Sequence, residues 1–187
     1  MAGNELDESL IRAAQAGDRE AFTRLAESLG RPFLATSRRI LHDLHLAEDA
    51  TQEALVAIWH GLPGLRDTTR FEAWAYRLLV RSCYAEASKV RSRTPDLRSL
   101  HPEPAGQADT VGAIIDRDQL DRAFRRLSID HRTVIVLRYY LDLPLDQIAR
   151  VVGISDGTVA SRLHYAVEQL RSAVDADARE PLREALP

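Results

Sequence analysis

The chemistry this chain can offer is that of surfaces. The stretch from Leu143 to Ala166, LPLDQIARVVGISDGTVASRLHYA, mixes short polar side chains with arginine at helical spacing. With that mixture a helix approaches base edges closely while bonding phosphate. Thr158, Ala160, Ser161, Arg162, His164 and Tyr165 fall near or on the open face of its second half, with Ser155 and Asp156 at its start. The elements needed to hold them are legible around them. Pro144 suits a first helical turn, and Leu145, Ile148, Ala149 and Val152 recur as a stripe to be buried. Gly153 stops that helix, Ile154 plugs the turn, Ser155 caps the next helix, and Val159, Leu163, Ala166 and Leu170 give it an inward face. The expected unit is a helix-turn-helix over residues 144–171. An ordinary helical hairpin inside a core is the plainer alternative.

Two further constellations could bind partners. Glu48, Asp49, Gln52, Glu53 and His60 interleave with Ala50, Leu55, Ile58 and Trp59, so one face of a helix is acidic and the other apolar. Such a helix is either simply solvated or a docking surface for a basic partner helix. Downstream, Phe71, Trp74, Ala75, Leu78, Leu79 and Ser82 follow helical spacing, with Tyr76, Arg77, Val80, Arg81 and Tyr84 around them. Most of these aromatics suit a core, yet a loop containing glycine and leading into an aromatic and arginine helix also suits splayed single-stranded bases. His42 and His45 flank Asp43 and would offer a metal two nitrogens, but without a further ligand cluster they read as surface residues. No Ser, His and Asp set, no phosphate-cradling glycine loop and no carboxylate pair in an apolar setting is evident. No metal, cofactor, small-molecule substrate or enzymatic activity is expected.

The charge is unevenly spread. Between Arg39 and Arg66 stand four acidic residues and no Lys or Arg, whereas Arg66 to Arg98 holds eight basic residues against four acidic. Adjacent acidic and basic surfaces suit a protein partner on one side and phosphate on the other, despite a net charge of -3. No apolar run approaches the roughly 18 residues of a membrane span, the opening MAGNELDESL lacks a secretory pattern, and the lone Cys83 forms no internal disulfide. A cytoplasmic protein without membrane insertion is expected.

Helical periodicity dominates throughout, so the expected fold is all-α, with two small helical domains joined by a flexible linker. The spacing predicts helices over Leu6–Ala16, a second from Asp18 to Leu29, then Phe33–Leu44, Glu48–Gly61 and Phe71–Arg91, with punctuation at Gly30 and Pro32. Ile115–Leu127 and Ile129–Leu141 precede the helix-turn-helix. The expected domains are 1–92 and 115–174, with a proline-bearing linker at 93–114 and a charged, frayed tail at 175–187.

Taken together, these segments resemble the extracytoplasmic-function sigma factors of the sigma-70 family. LIRAAQAGDREAFTRL at 10–25 resembles the family's opening, AEDATQEALVAIWHGL at 47–62 region 2.2, FEAWAYRLLVRS at 71–82 region 2.3, and RLSIDHRTVIVLRYYLDLPLDQIARVVGISDGTVASRLHYAVEQLR at 126–171 region 4. The resemblance implies an alternative sigma factor whose Glu48, Asp49, Gln52, Glu53, Ile58 and Trp59 dock on the β′ clamp helices of core RNA polymerase. It implies that Leu65, Arg66, Phe71, Trp74, Arg77 and Arg81 capture the minus-10 strand. Ser155, Asp156, Thr158, Ala160, Ser161, Arg162, His164 and Tyr165 would read the minus-35 duplex, region 4 would rest on the β flap, and an anti-sigma factor would hold the protein inactive. Leu65 stands where members commonly carry an aromatic residue, Arg81 where many have Asn, Ala160 where Lys is common and Tyr165 where Arg is frequent. The rival reading is an autonomous helix-turn-helix repressor or activator. A metal-dependent hydrolase using His42 and His45 is a second.

Overall fold

The computed structural model describes the backbone of residues 8–93 and 111–184 and the side chains of 8–92 and 119–174. Among these residues every regular element is helical, as the periodicity predicts. A first group comprises α1 (Glu8–Gln15), α2 (Arg19–Leu41), α3 (Leu44–Gly61) and α4 (Phe71–Arg93), with two short 3-10 turns at Leu62–Gly64 and Thr68–Arg70. A second comprises α5 (Val111–Arg126), α6 (Ile129–Ile135) with a π turn at Val136–Tyr140, α7 (Leu145–Val152) and α8 (Asp156–Glu184). Most of the linker expected at 93–114 lies outside the described residues, as do residues 1–7 and 185–187.

Asp18 caps α2 as the sequence places it, accepting from the amides of Glu20 and Ala21 at 2.9 and 3.1 Å. Asp43, expected inside a helix running to Leu44, instead accepts from Leu46 and opens α3 at Leu44, ahead of the expected Glu48. The predicted break at Gly30 and Pro32 does not occur: α2 runs through both. An interior proline costs about 3 kcal/mol. Burial of Leu29 and Phe33 on the inner face, at roughly 1.5–3 kcal/mol each, offsets it, and the ring of Pro32 lies on the solvent side. The tail expected to fray from 175 continues α8 to Glu184.

In α3 the inward residues are Ala47, Ala50, Thr51, Ala54 and Ile58, mostly small, so α2 and α4 approach closely. The two groups of helices share one continuous apolar core, from Ile11 through Phe33, Phe71 and Leu79 to Leu137, Val151 and Ala166.

Candidate partner and nucleic-acid interfaces

The amphipathic period of α3 turns Glu48, Asp49, Gln52 and Glu53 together to solvent. Glu48 lies 3.9 Å from His45, and among the described residues neither Asp49 nor Glu53 has a lysine or arginine partner. Trp59 is half-buried, edge-on to Phe22 with centroids 4.7 Å apart. Ile58 sits elsewhere. It is fully buried on the inner face of the same helix and cannot present its side chain to a partner, contrary to the expectation that groups it with Trp59.

After α3 the chain turns sharply, and α1 holds the turn. Gln15 Nε2 donates to the carbonyls of Leu65 at 2.6 Å and Leu62 at 3.1 Å, while Thr68 Oγ1 donates to Glu8 at 2.8 Å. Asp67 accepts from the Thr69 hydroxyl at 2.6 Å and the Thr69 amide at 3.1 Å, and pairs with Arg70 at 3.0 Å. The Thr69 hydroxyl, before the Arg70 cation, holds its carboxyl below the ordinary range. The sequence reading missed Gln15, whose position near the end of α1 gives no periodic signal. Leu65 is half-buried and Arg66 and Arg70 exposed at this loop, and Arg77 and Arg81 stand exposed along α4. Phe71, expected to contact bases, is instead core at 1% exposure, because the period that aligns it with Ala75 and Leu79 points it inward. Trp74 lies across the end of α3. A Cβ on Gly61 would come within 2.9 Å of its ring, so glycine there lets the indole settle.

The outer face of α4 is covered in part, around Trp74, while Arg77 and Arg81 remain exposed. Trp74, Tyr76 and Arg77 share a cleft of ≈ 900 Å³ with Gln147, Arg150, Val151, Ile154 and Asp156 of the helix-turn-helix. Helix α7 is therefore covered on two sides. Val151 is buried at 2% exposure and Leu145, expected inside, is left at 39%. Three aromatic contacts close the seam elsewhere. The Arg39 guanidinium lies 3.7 Å from the Tyr140 ring centroid, and His42 stacks at 5.3 Å on Phe124. Tyr84 reaches α6 beside Thr133 and Asp130, where burial first and the Asp130 carboxylate next push its hydroxyl up to about 12.

The helix-turn-helix forms as its residues dictate. Gly153 takes φ 80 and donates to Ala149 at 2.8 Å to end α7, and Ser155 Oγ accepts the Thr158 amide at 3.2 Å to start α8. Val159, Leu163 and Ala166 are buried. Ser155, Asp156, Thr158, Ala160, Ser161, His164 and Tyr165 are exposed together, with Tyr165 edge-on to His164 at 5.6 Å. Arg162 differs from them. It is half-buried and lies 3.4 Å from Asp130 of α6, bracing α8 against its own domain.

Comparison with known proteins agrees with this layout. Residues 25–93 match the family described as Sigma-70 region 2, and residues 117–170 match Sigma-70, region 4. The RNA polymerase sigma-H factor of Pseudomonas aeruginosa is 29% identical over 99% of this chain and 100% of its own length. The ECF RNA polymerase sigma factor SigL of Mycobacterium tuberculosis is 37% identical over 71% of this chain and 77% of its own. Among solved structures, CnrH in complex with the cytosolic domain of CnrY superposes with a TM-score of 0.67 at 23% identity, covering 92% of this chain and 99% of that one. RpoE of Bartonella quintana, bound to the anti-sigma factor NepR, gives 0.63 at 21%, over 83% and 98% of the two chains. These two show a shared fold. Both sigma regions in family order exclude the autonomous repressor or activator. The chain belongs to the ECF RNA polymerase sigma factors, the alternative sigma subunits that direct core polymerase to promoters.

Proposed function

We propose that this sigma factor docks on core polymerase through the outer face of α3 while its two domains are still together, and that they then separate to read the promoter. The observation that carries the reading is the contrast in exposure: Glu48, Asp49, Gln52 and Glu53 are all free to solvent, whereas Trp74 is half-buried in the cleft it shares with α7. Clustered carboxylates attract the basic surface of a partner and set its orientation.

Promoter geometry requires the separation. The minus-35 and minus-10 elements lie about 25 base pairs apart, which at ~3.4 Å per pair is roughly 85 Å. Trp74 and the start of α8 at Asp156 line one cleft, so the closed protein cannot serve both elements at once. The roughly 17 residues between Arg93 and Val111 would reach ~60 Å if extended, enough with the breadth of the domains to bridge the gap. Once apart, the exposed face of α8 enters the minus-35 major groove, and Leu65, Arg66, Trp74, Arg77 and Arg81 take unstacked bases of the minus-10 strand. Melting then draws on binding energy, without catalysis or nucleotide hydrolysis. The protein acts in the cytoplasm, and an anti-sigma partner that holds the domains closed would silence it.

The test is capture of purified bacterial core RNA polymerase by the wild type and by the Asp49→Lys, Glu53→Lys double variant. Stoichiometric capture by the wild type and at least a ~10-fold loss in the variant are expected. Equal capture by both overturns the α3 docking face.

A further inference from the structure

We infer that His42 is a proton-sensitive latch on the seam between the two domains, holding them together as a neutral ring and releasing them when it takes a proton. The inference rests on the separation proposed above. His42 ends α2 in the left-handed conformation, at φ 55, with its amide donating to the Arg38 carbonyl at 2.9 Å. That backbone turn carries the imidazole off the helix and onto Phe124 of α5, in the second domain, at 5.3 Å and 53°. Its Nε2 is buried there without a hydrogen-bond partner.

The charges around the ring oppose a second cation. From α6 it faces Arg132, whose Nε is also buried and unpartnered. From α5 it faces Asp121 and Arg125, which pair with each other at 2.8 Å. Its own helix ends with Arg38 and Arg39, the latter committed to Tyr140. Asp43, next in the chain, is engaged by the Leu46 amide. An imidazolium in this joint would be desolvated, would lack an acceptor for Nε2–H and would stand beside a guanidinium, with Asp121 the carboxylate that favours it and already paired to Arg125. Burial first and Arg132 next hold the ring at about 4.

The direction of the linkage follows. A ring released to solvent titrates near 6.5, so below that pH the separated state binds a proton that the closed state refuses until about pH 4. Acid therefore opens the seam. Between pH 7.5 and 5.5 the ratio of closed to open protein falls about tenfold, and above pH 7 it barely changes.

The test uses the full chain with dyes on Glu27→Cys and Glu168→Cys, one on each domain, Cys83 being fully buried and shielded from labelling. Energy transfer is expected to be high at pH 7.5 and to fall toward pH 5.5. His42→Asn, which tolerates the left-handed backbone and does not titrate, is expected to give equal transfer at both values. An Asn variant that is open at both supports the latch, since the ring is then what holds the seam. A closed-to-open ratio in the wild type that is the same at both pH values, counted from single-molecule transfer, overturns the latch and leaves the closed arrangement standing. Low transfer already at pH 7.5 overturns the closed arrangement itself. A wild-type-like fall in the Asn variant assigns the titration to another group and overturns the latch.

Discussion

The outer faces of α3 and α4 belong to neighbouring helices of one domain, yet they meet opposite fates. The α3 face is acidic, made of short carboxylates and an amide, and lies open to solvent. The α4 face is aromatic and cationic, and the helix-turn-helix shelters its Trp74 while Arg77 and Arg81 stay exposed. Charge tolerates water at little cost, whereas an indole and a tyrosine ring gain by leaving it. A face that awaits a charged partner can thus stay exposed, while one that awaits unstacked bases is better sheltered until they arrive.

The contrast can be broken from its inside first. Ile58 supports the α3 face from beneath, so Ile58→Ala is expected to cost about 2–5 kcal/mol in urea unfolding, while Val56→Ala on the exposed side, 46% accessible, changes stability by less than ~0.5 kcal/mol.

The next effect falls on α4. Trp74→Ala is expected to remove a stacking surface worth ~1–3 kcal/mol per base, seen as a loss of open-complex formation, with polymerase capture unchanged. The charge reversal on α3 should instead lower polymerase capture and, through it, open-complex formation.

The inner and outer faces of α3 were legible in the sequence, because a period of 3.6 residues sorts side chains without knowledge of neighbours, whereas on α4 Tyr76 and Val80, set outside the stripe, are buried at 7% and 2% exposure. The same period shows why Ile58 and Phe71 are core although the motifs around them carry function. What the sequence did not disclose is long-range. Helix α2 runs through Pro32 because the core holds Leu29 and Phe33 on either side of the missing bond. Val151 is buried in place of Leu145 because α7 has a second neighbour, and His42 gains its role from Phe124, 82 positions away in the chain. No local pattern encodes those pairings.

Smaller perturbations sharpen the comparison. Tyr140→Ala removes the stack on Arg39, a contact of ~0.5–1 kcal/mol, and should raise the open fraction two- to fivefold by energy transfer without altering the fold by circular dichroism. Arg162→Ala should act least. Its guanidinium is committed to Asp130, so the salt dependence of minus-35 binding is expected to keep its slope, where loss of a phosphate contact would lower it by about one.

The most direct measurement locks the seam. A reducible cross-link between Arg39→Cys and Tyr140→Cys, which replace residues already in contact, would hold the domains closed, and core polymerase capture and run-off transcription would be followed on a promoter selected with the unlocked protein. The account predicts that the locked protein is captured, transcribes nothing and recovers on reduction. Full transcription from the locked protein, or failure of polymerase to capture it, would contradict the claim that docking precedes opening.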